Sequence, residues 1–142
     1  MPRAGLIDTG AILALLENDD KWHHACLEAL GSMQLPLFTT EAVLTETFHL
    51  QSRNRRSLEQ AWRFVRSGAL TVRPCADADL PALHSLMSQY QDRPMDFADA
   101  TLVHLASRES LNLILTIDRN DFETYRIDGR KRFVVIPSRT GE

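Results

Sequence analysis

Apolar positions along the chain follow two alternating rhythms. Short continuous runs at residues 4–7, 36–40, 70–72, 113–117 and 133–136 lack the polar alternation of a half-exposed strand. They predict strands buried on both faces. Between them, apolar residues recur every three or four positions and predict helices over 11–16, 21–30, 41–51, 57–65, 77–90 and 97–107. Trp22, Ala25, Cys26 and Ala29 share one helical face, as do Leu58, Ala61, Trp62 and Val65. Gly31, Gly68, Pro74 and Pro137 punctuate the pattern. Buried strands alternating with helices predict an α/β fold, a parallel sheet in three layers with helices on both faces. Ligands of such sheets sit beyond the carboxyl ends of the strands, where the strand order reverses. Asp8 follows the first predicted strand and Asp118 the fourth.

Composition narrows the class. With 142 residues, 44% apolar and 25% charged, the chain predicts one globular domain over 1–142, with neither repeats nor low-complexity segments. The apolar run at 11–16 is far short of the roughly 20 residues that span a bilayer, and Asp8 interrupts the start before a signal-peptide core can form. A cytoplasmic protein is expected, with Cys26 and Cys75 as reduced, partly buried thiols. The five histidines show no ligand spacing beyond the adjacent His23 and His24. Trp22, Trp62 and Tyr90, on apolar helical faces, are expected in the core or an interface, not as platforms for stacked bases.

Candidate chemistry lies in the acids. Asp8 ends a strand, Glu46 sits inside an apolar helix, and Asp96/Asp99 and Asp118/Asp121 form two closely spaced pairs. Carboxylates that converge repel one another and resist ionisation unless a cation compensates. An oxygen-only set suits Mg²⁺ or Mn²⁺, and the lack of Cys/His spacing disfavours zinc. Each acid also has a plainer reading: Asp96 as a helix N-cap, Asp99 as a first-turn acid, Asp118 and Asp121 as turn residues, Glu46 as a solvated helix position. The net charge is −3, yet setting these six aside leaves 13 acids against 16 basic residues, 14 of them arginine. A mildly basic remainder suits a phosphate-backbone substrate. Arg53, Arg55, Arg56, Arg63 and Arg66 cluster around one helix, either as a solvated face paired with Glu59 or as an RNA or partner contact.

In order and spacing the set Leu6-Ile7-Asp8-Thr9-Gly10, Glu46, Asp96-Phe97-Ala98-Asp99-Ala100 and Thr116-Ile117-Asp118-Arg119-Asn120-Asp121-Phe122 resembles the PIN-domain ribonucleases, particularly the VapC-type toxins of toxin–antitoxin pairs. The resemblance covers nearly the whole chain. It implies a PIN-like α/β domain and a Mg²⁺- or Mn²⁺-dependent endoribonuclease. Asp8, Glu46, Asp99 and Asp118 would be catalytic and hold the metal, supported by Thr9, Asp96, Thr116 and Asp121. It further implies an RNA substrate, a homodimer, and a cognate antitoxin covering the acidic groove; among the basic residues, Arg55, Arg56 and Arg119 are the candidate RNA contacts. Thr9 stands where many family members carry Ser. Two other readings are a receiver or aspartyl-phosphate phosphatase domain, and a catalytically silent nucleic-acid-binding module. Gly10 stands where the phosphatase needs a second Asp, and Asp8 lacks the neighbouring acid of a receiver.

Overall fold

The computed structural model describes residues 2–138. Along the chain run β1 (Leu6–Ile7), α1 (Thr9–Leu16), α2 (His23–Gly31), β2 (Leu37–Thr40), α3 (Glu41–Gln51), α4 (Arg55–Val65) and β3 (Leu70–Arg73). A 3-10 turn at Asp77–Asp79 leads into α5 (Leu80–Gln89), followed by α6 (Phe97–Glu109), β4 (Leu113–Leu115), α7 (Arg119–Thr124), β5 (Arg126–Ile127), β6 (Lys131–Arg132) and β7 (Val134–Ile136). Five strands form one parallel sheet in the order β3-β2-β1-β4-β7. Successive strand residues point to opposite faces, and Leu6 and Ile7 are both fully buried, as are Ile114 and Leu115. Both faces of the central strands are therefore covered, as the continuous apolar runs predict.

The strand order separates this fold from a receiver domain, whose sheet runs 2-1-3-4-5. Here the order reverses between β1 and β4, so the crevice lies beyond the ends of those two strands. Asp8 follows β1, and Thr116 to Asp118 follow β4. The parallel pairing Leu6 with Ile114 and Ile7 with Leu115 brings both ends to the same level. Gly10 closes the remaining gap. A Cβ built there would stand 2.7 Å from Cγ1 of Ile117, so only glycine lets α1 approach the β4–α7 turn this closely.

The capping residues are legible in chemical terms. Asp8 accepts from Thr9 N at 2.7 Å, Thr40 from Val43 N at 3.3 Å, Asn54 from Ser57 N at 2.8 Å and Asp96 from Asp99 N at 2.7 Å. Asn54 thereby starts α4 two residues before the predicted 57. The expected strand 113–117 stops at Leu115, because the Thr116 hydroxyl takes the N–H of Asp118 at 3.0 Å and turns the chain. The sequence reading passes over α7 and the β5–β6 hairpin. Asp128-Gly129, both at positive φ, form the tight turn of that hairpin. Cys26 is buried as expected, whereas Cys75 is exposed.

Gly10→Ala should overpack the contact with Ile117 and lower stability by about 1–3 kcal/mol, read by thermal or urea denaturation. An unchanged melting temperature would show that the two turns have room to part.

Candidate active site

Asp8 caps α1 from the end of β1 and is 4% exposed. One carboxylate oxygen accepts from Thr9 N at 2.7 Å and the other from the Thr116 hydroxyl at 3.1 Å. Thr116, fully buried, thus joins the two turns: it donates to Asp8 and accepts from Asp118 N. Thr9 reaches the α3 backbone, its hydroxyl 3.3 Å from Val43 O. Asp99 lies in the first turn of α6, a helix buried nearly all round, and is 9% exposed. Its Oδ2 accepts from the buried Tyr125 hydroxyl at 2.8 Å. Glu46 on α3 and Asp118 face solvent at the same crevice.

The electrostatics follow from this placement. Burial, with smaller contributions from the charges of Asp118 and Glu46, raises Asp8 to about 7 against the opposing Thr9 and Thr116 hydrogen bonds. Burial and then the charge of Asp8 raise Asp99 to about 8. Glu46 is raised by burial and by Asp96 and Asp118, and Asp118 by burial and by Asp121 and Asp96. The Thr9 N–H and the Thr116 hydroxyl oppose this at Asp8, the Tyr125 hydroxyl opposes it at Asp99 and a hydrogen bond with Asp8 opposes it at Asp118. No arginine or lysine among the described residues contributes. The crevice therefore gathers carboxyl groups that the protein orients but pairs with no cation, and the two buried ones hold protons instead.

A hard divalent cation is the partner such a set lacks, and every donor is a carboxylate or hydroxyl oxygen. Among the described residues no group of three or more His, Cys, Asp or Glu forms a ready-made ion cage. The fit to Mg²⁺ or Mn²⁺ lies in donor chemistry and uncompensated charge.

A family model described as PIN domain matches residues 5–128. The chain belongs to the PIN-domain family. It is 34% identical over 135 residues to ribonuclease VapC26 of Mycobacterium tuberculosis, covering 93% of this chain and 99% of that protein. VapC ribonuclease toxins are thus its homologues. Among solved structures, the fold resembles Mycobacterium tuberculosis VapC20, a sarcin-ricin loop cleaving toxin, with TM-score 0.72, 20% identity and coverage of 82% and 93% of the two chains. It also resembles DNA-bound VapBC from Salmonella typhimurium, with TM-score 0.63, 16% identity and coverage of 95% and 98%. A third likeness is to VapBC2 of Rickettsia felis bound to a promoter DNA fragment, at TM-score 0.65, 12% identity and coverage of 94% and 99%.

Within this PIN domain the acids picked from the sequence divide by surroundings. Asp8 and Asp99 are enclosed, while Glu46 and Asp118 stand at the crevice mouth. Asp96 is the N-cap of α6 and exposed, and Asp121 pairs with Arg93 at 2.9 Å. Arg55 and Arg56 are exposed at the start of α4. Arg119 is engaged elsewhere: Nη1 donates to Val135 O at 3.1 Å and to Pro137 O, and Nε lies 3.0 Å from Glu123. It ties α7 to the edge strand β7 rather than reaching outward. His23 holds Ala14 O, and His104 pairs with Asp79, both apart from the acids. Sequence reasoning missed Tyr125, whose signal was faint: an aromatic in an unrecognised segment, packed edge-on against Tyr90 and Phe122.

Tyr125→Phe should keep the aromatic packing and free one oxygen of Asp99. Expected is a loss of roughly ten- to a hundredfold in the rate of phosphodiester cleavage with little change in melting temperature; unchanged activity would make the hydrogen bond incidental. A second expectation concerns pH. Folded Asp8 and Asp99 keep protons, to about 7 and about 8, that the unfolded chain releases near 3.8. Metal-free protein should lose stability steadily as pH rises from about 4 to 8, read as a falling melting temperature. Asp8→Asn should flatten that slope, and a wild-type melting temperature constant from pH 5 to 8 would contradict the burial of these charges.

Proposed function

We propose that this PIN domain is a Mg²⁺- or Mn²⁺-dependent endoribonuclease, acting as the toxin of a toxin–antitoxin pair. The observation that carries the reading is the enclosure of Asp8 and Asp99 together, oriented by Thr9 N–H, Thr116 and Tyr125 and met by no cationic side chain among the described residues. Asp8, Glu46, Asp99 and Asp118 would hold the metal. When bound, the ion supplies an acidified water and offsets charge on the phosphoryl oxygens. The chain's own contribution is orientation. Thr116 sets the angle between Asp8 and Asp118, and Tyr125 fixes one oxygen of Asp99. A phosphate can enter this crevice only once its acids are compensated, since bare carboxylates repel it.

Family likeness and surface character support the partners. Structures of VapBC assemblies are among the neighbours, and an antitoxin partner for this chain is part of the proposal. Beside Glu46 and Asp96 opens a largely apolar groove of about 600 Å³, walled by Ala42, His49, Cys75, Phe97 and Ala98. Phe97 is 46% exposed there, as suits a homodimer or antitoxin contact. No helix among the described residues is long and apolar enough to cross a membrane, and we assign the protein to the cytoplasm.

Cleavage of single-stranded RNA should require added Mg²⁺ or Mn²⁺ and stop in excess EDTA; undiminished cleavage by pure protein in chelator would overturn the metal-dependent reading. Asp99→Asn should cost roughly a hundredfold or more in rate. Asp96→Asn should cost little, because Asn caps a helix as well as Asp. Equal losses would place both acids at the metal. Added Mg²⁺ should raise the melting temperature of wild type and leave that of Asp8→Asn nearly unmoved.

A further inference from the structure

Asp118 also borders a second cleft, of about 710 Å³, lined by Trp22, Arg93, Ile117, Arg119, Asn120 and Asp121. Its volume lies in the range of small-ligand sites, roughly 300–1,000 Å³. We propose that this cleft is a nucleobase subsite that holds one unpaired RNA base beside the phosphate bound at Asp118, an inference that rests on the nuclease reading.

Three observations carry it. The first is position: Asp118 lines the cleft and also faces Asp8, so an occupant lies next to the reacting phosphate. The second is charge. Arg93 is paired with Asp121 at 2.9 Å, and Arg119 is turned to the carbonyls of Val135 and Pro137. Both arginines that line the cleft are engaged and Lys21 lies over the face of Trp22, so the walls suit the neutral part of a nucleotide rather than a second phosphate. The third is surface chemistry. Trp22 is only partly buried and gives the cleft an indole surface, and Ile117 adds an apolar patch. The exposed carboxamide of Asn120 makes no hydrogen bond among the described residues and offers both a donor and an acceptor to a base edge. Aromatic stacking with a neighbouring amide is how proteins read single-stranded RNA. Lys21 lies over the Trp22 ring, Nζ 5.8 Å from the centroid. That exposed cation can turn to the backbone when a base takes its place. Trp22 packs against the core as its helical face predicts and also lines this cleft.

The test uses the full chain. In an Asp8→Asn, Trp62→Phe background Trp22 is the single remaining tryptophan of two, and its fluorescence is followed on titration with a mixed-sequence single-stranded hexaribonucleotide and with the same strand in a duplex. Saturable quenching by the single strand, absent with the duplex, supports the subsite. In otherwise wild-type protein, Trp22→Leu should raise KM for short RNA roughly tenfold with kcat held within about twofold, and Trp22→Phe should stay near wild type. Asn120→Ala, at an exposed position that tolerates change, should flatten the base preference at one nucleotide beside the cut while leaving the melting temperature unchanged. No quenching, equal quenching by duplex, or folded variants with unaltered KM and unaltered base preference would overturn the proposal. If those negatives come with metal-dependent cleavage that Asp8→Asn abolishes, the subsite falls and the nuclease stands. Quenching by single-stranded RNA without any cleavage has the opposite meaning: the base site stands and the nuclease falls.

Discussion

A carboxylate buried at the end of a central strand is the constraint around which this PIN domain is arranged. Asp8 has almost no contact with solvent, and burial pushes its carboxyl to about 7. Isolated, such a group would simply stay neutral. Here it is surrounded by others of the same charge: Asp99 from α6, Asp118 from the turn after β4 and Glu46 from α3. Like charges and burial together hold Asp8 and Asp99 in their protonated forms up to about 7 and about 8, and a divalent cation would favour the ionised forms instead.

The supporting residues have a common character. Asp8 and Asp99 are held by an N–H of the helix Asp8 caps, by Thr116 and by Tyr125. Neutral donors fix the direction of a carboxylate without cancelling its charge, so the full electrostatic attraction is kept for an incoming ion. An arginine in the same place would stabilise the empty fold and compete with the metal. The arginines nearest the crevice are accordingly occupied, Arg93 by Asp121 and Arg119 by backbone carbonyls of the edge strand. Arg55 and Arg56, out on α4, remain exposed to solvent and to any polyanion that approaches.

Close approach is as necessary as chemistry. The absence of a side chain at Gly10 lets the first turn of α1 lie against Ile117. The parallel register of β1 and β4 sets the two turns level, and the Thr116 hydroxyl bridges them. A largely apolar groove around Phe97 borders Glu46 and Asp96, and a second cleft around Trp22 and Asn120 borders Asp118.

Much of this was legible in the chain before folding. Continuous apolar runs such as 113–117 and the helical spacing over 97–107 depend on burial of whole faces, which local sequence states directly. Six acids stood out because each interrupts or borders such a run, and the resemblance to PIN ribonucleases singled out Asp8, Glu46, Asp99 and Asp118 among them. The end of β4 at Leu115, the six-residue α7 and the β5–β6 hairpin were not legible from periodicity, since segments this short complete neither a helical nor a strand repeat. The sequence offers Asp96 as a cap and favours Asp99 as the site residue, and the structure has Asp96 capping α6 and Asp99 enclosed three residues later. Only the tertiary structure could bring Tyr125 to Asp99 across 26 positions and turn Trp22 toward Asp118. Local sequence determined which groups would be buried and which charged; the chain's crossing order in the sheet decided which of them would meet, because that proximity is a property of topology and packing.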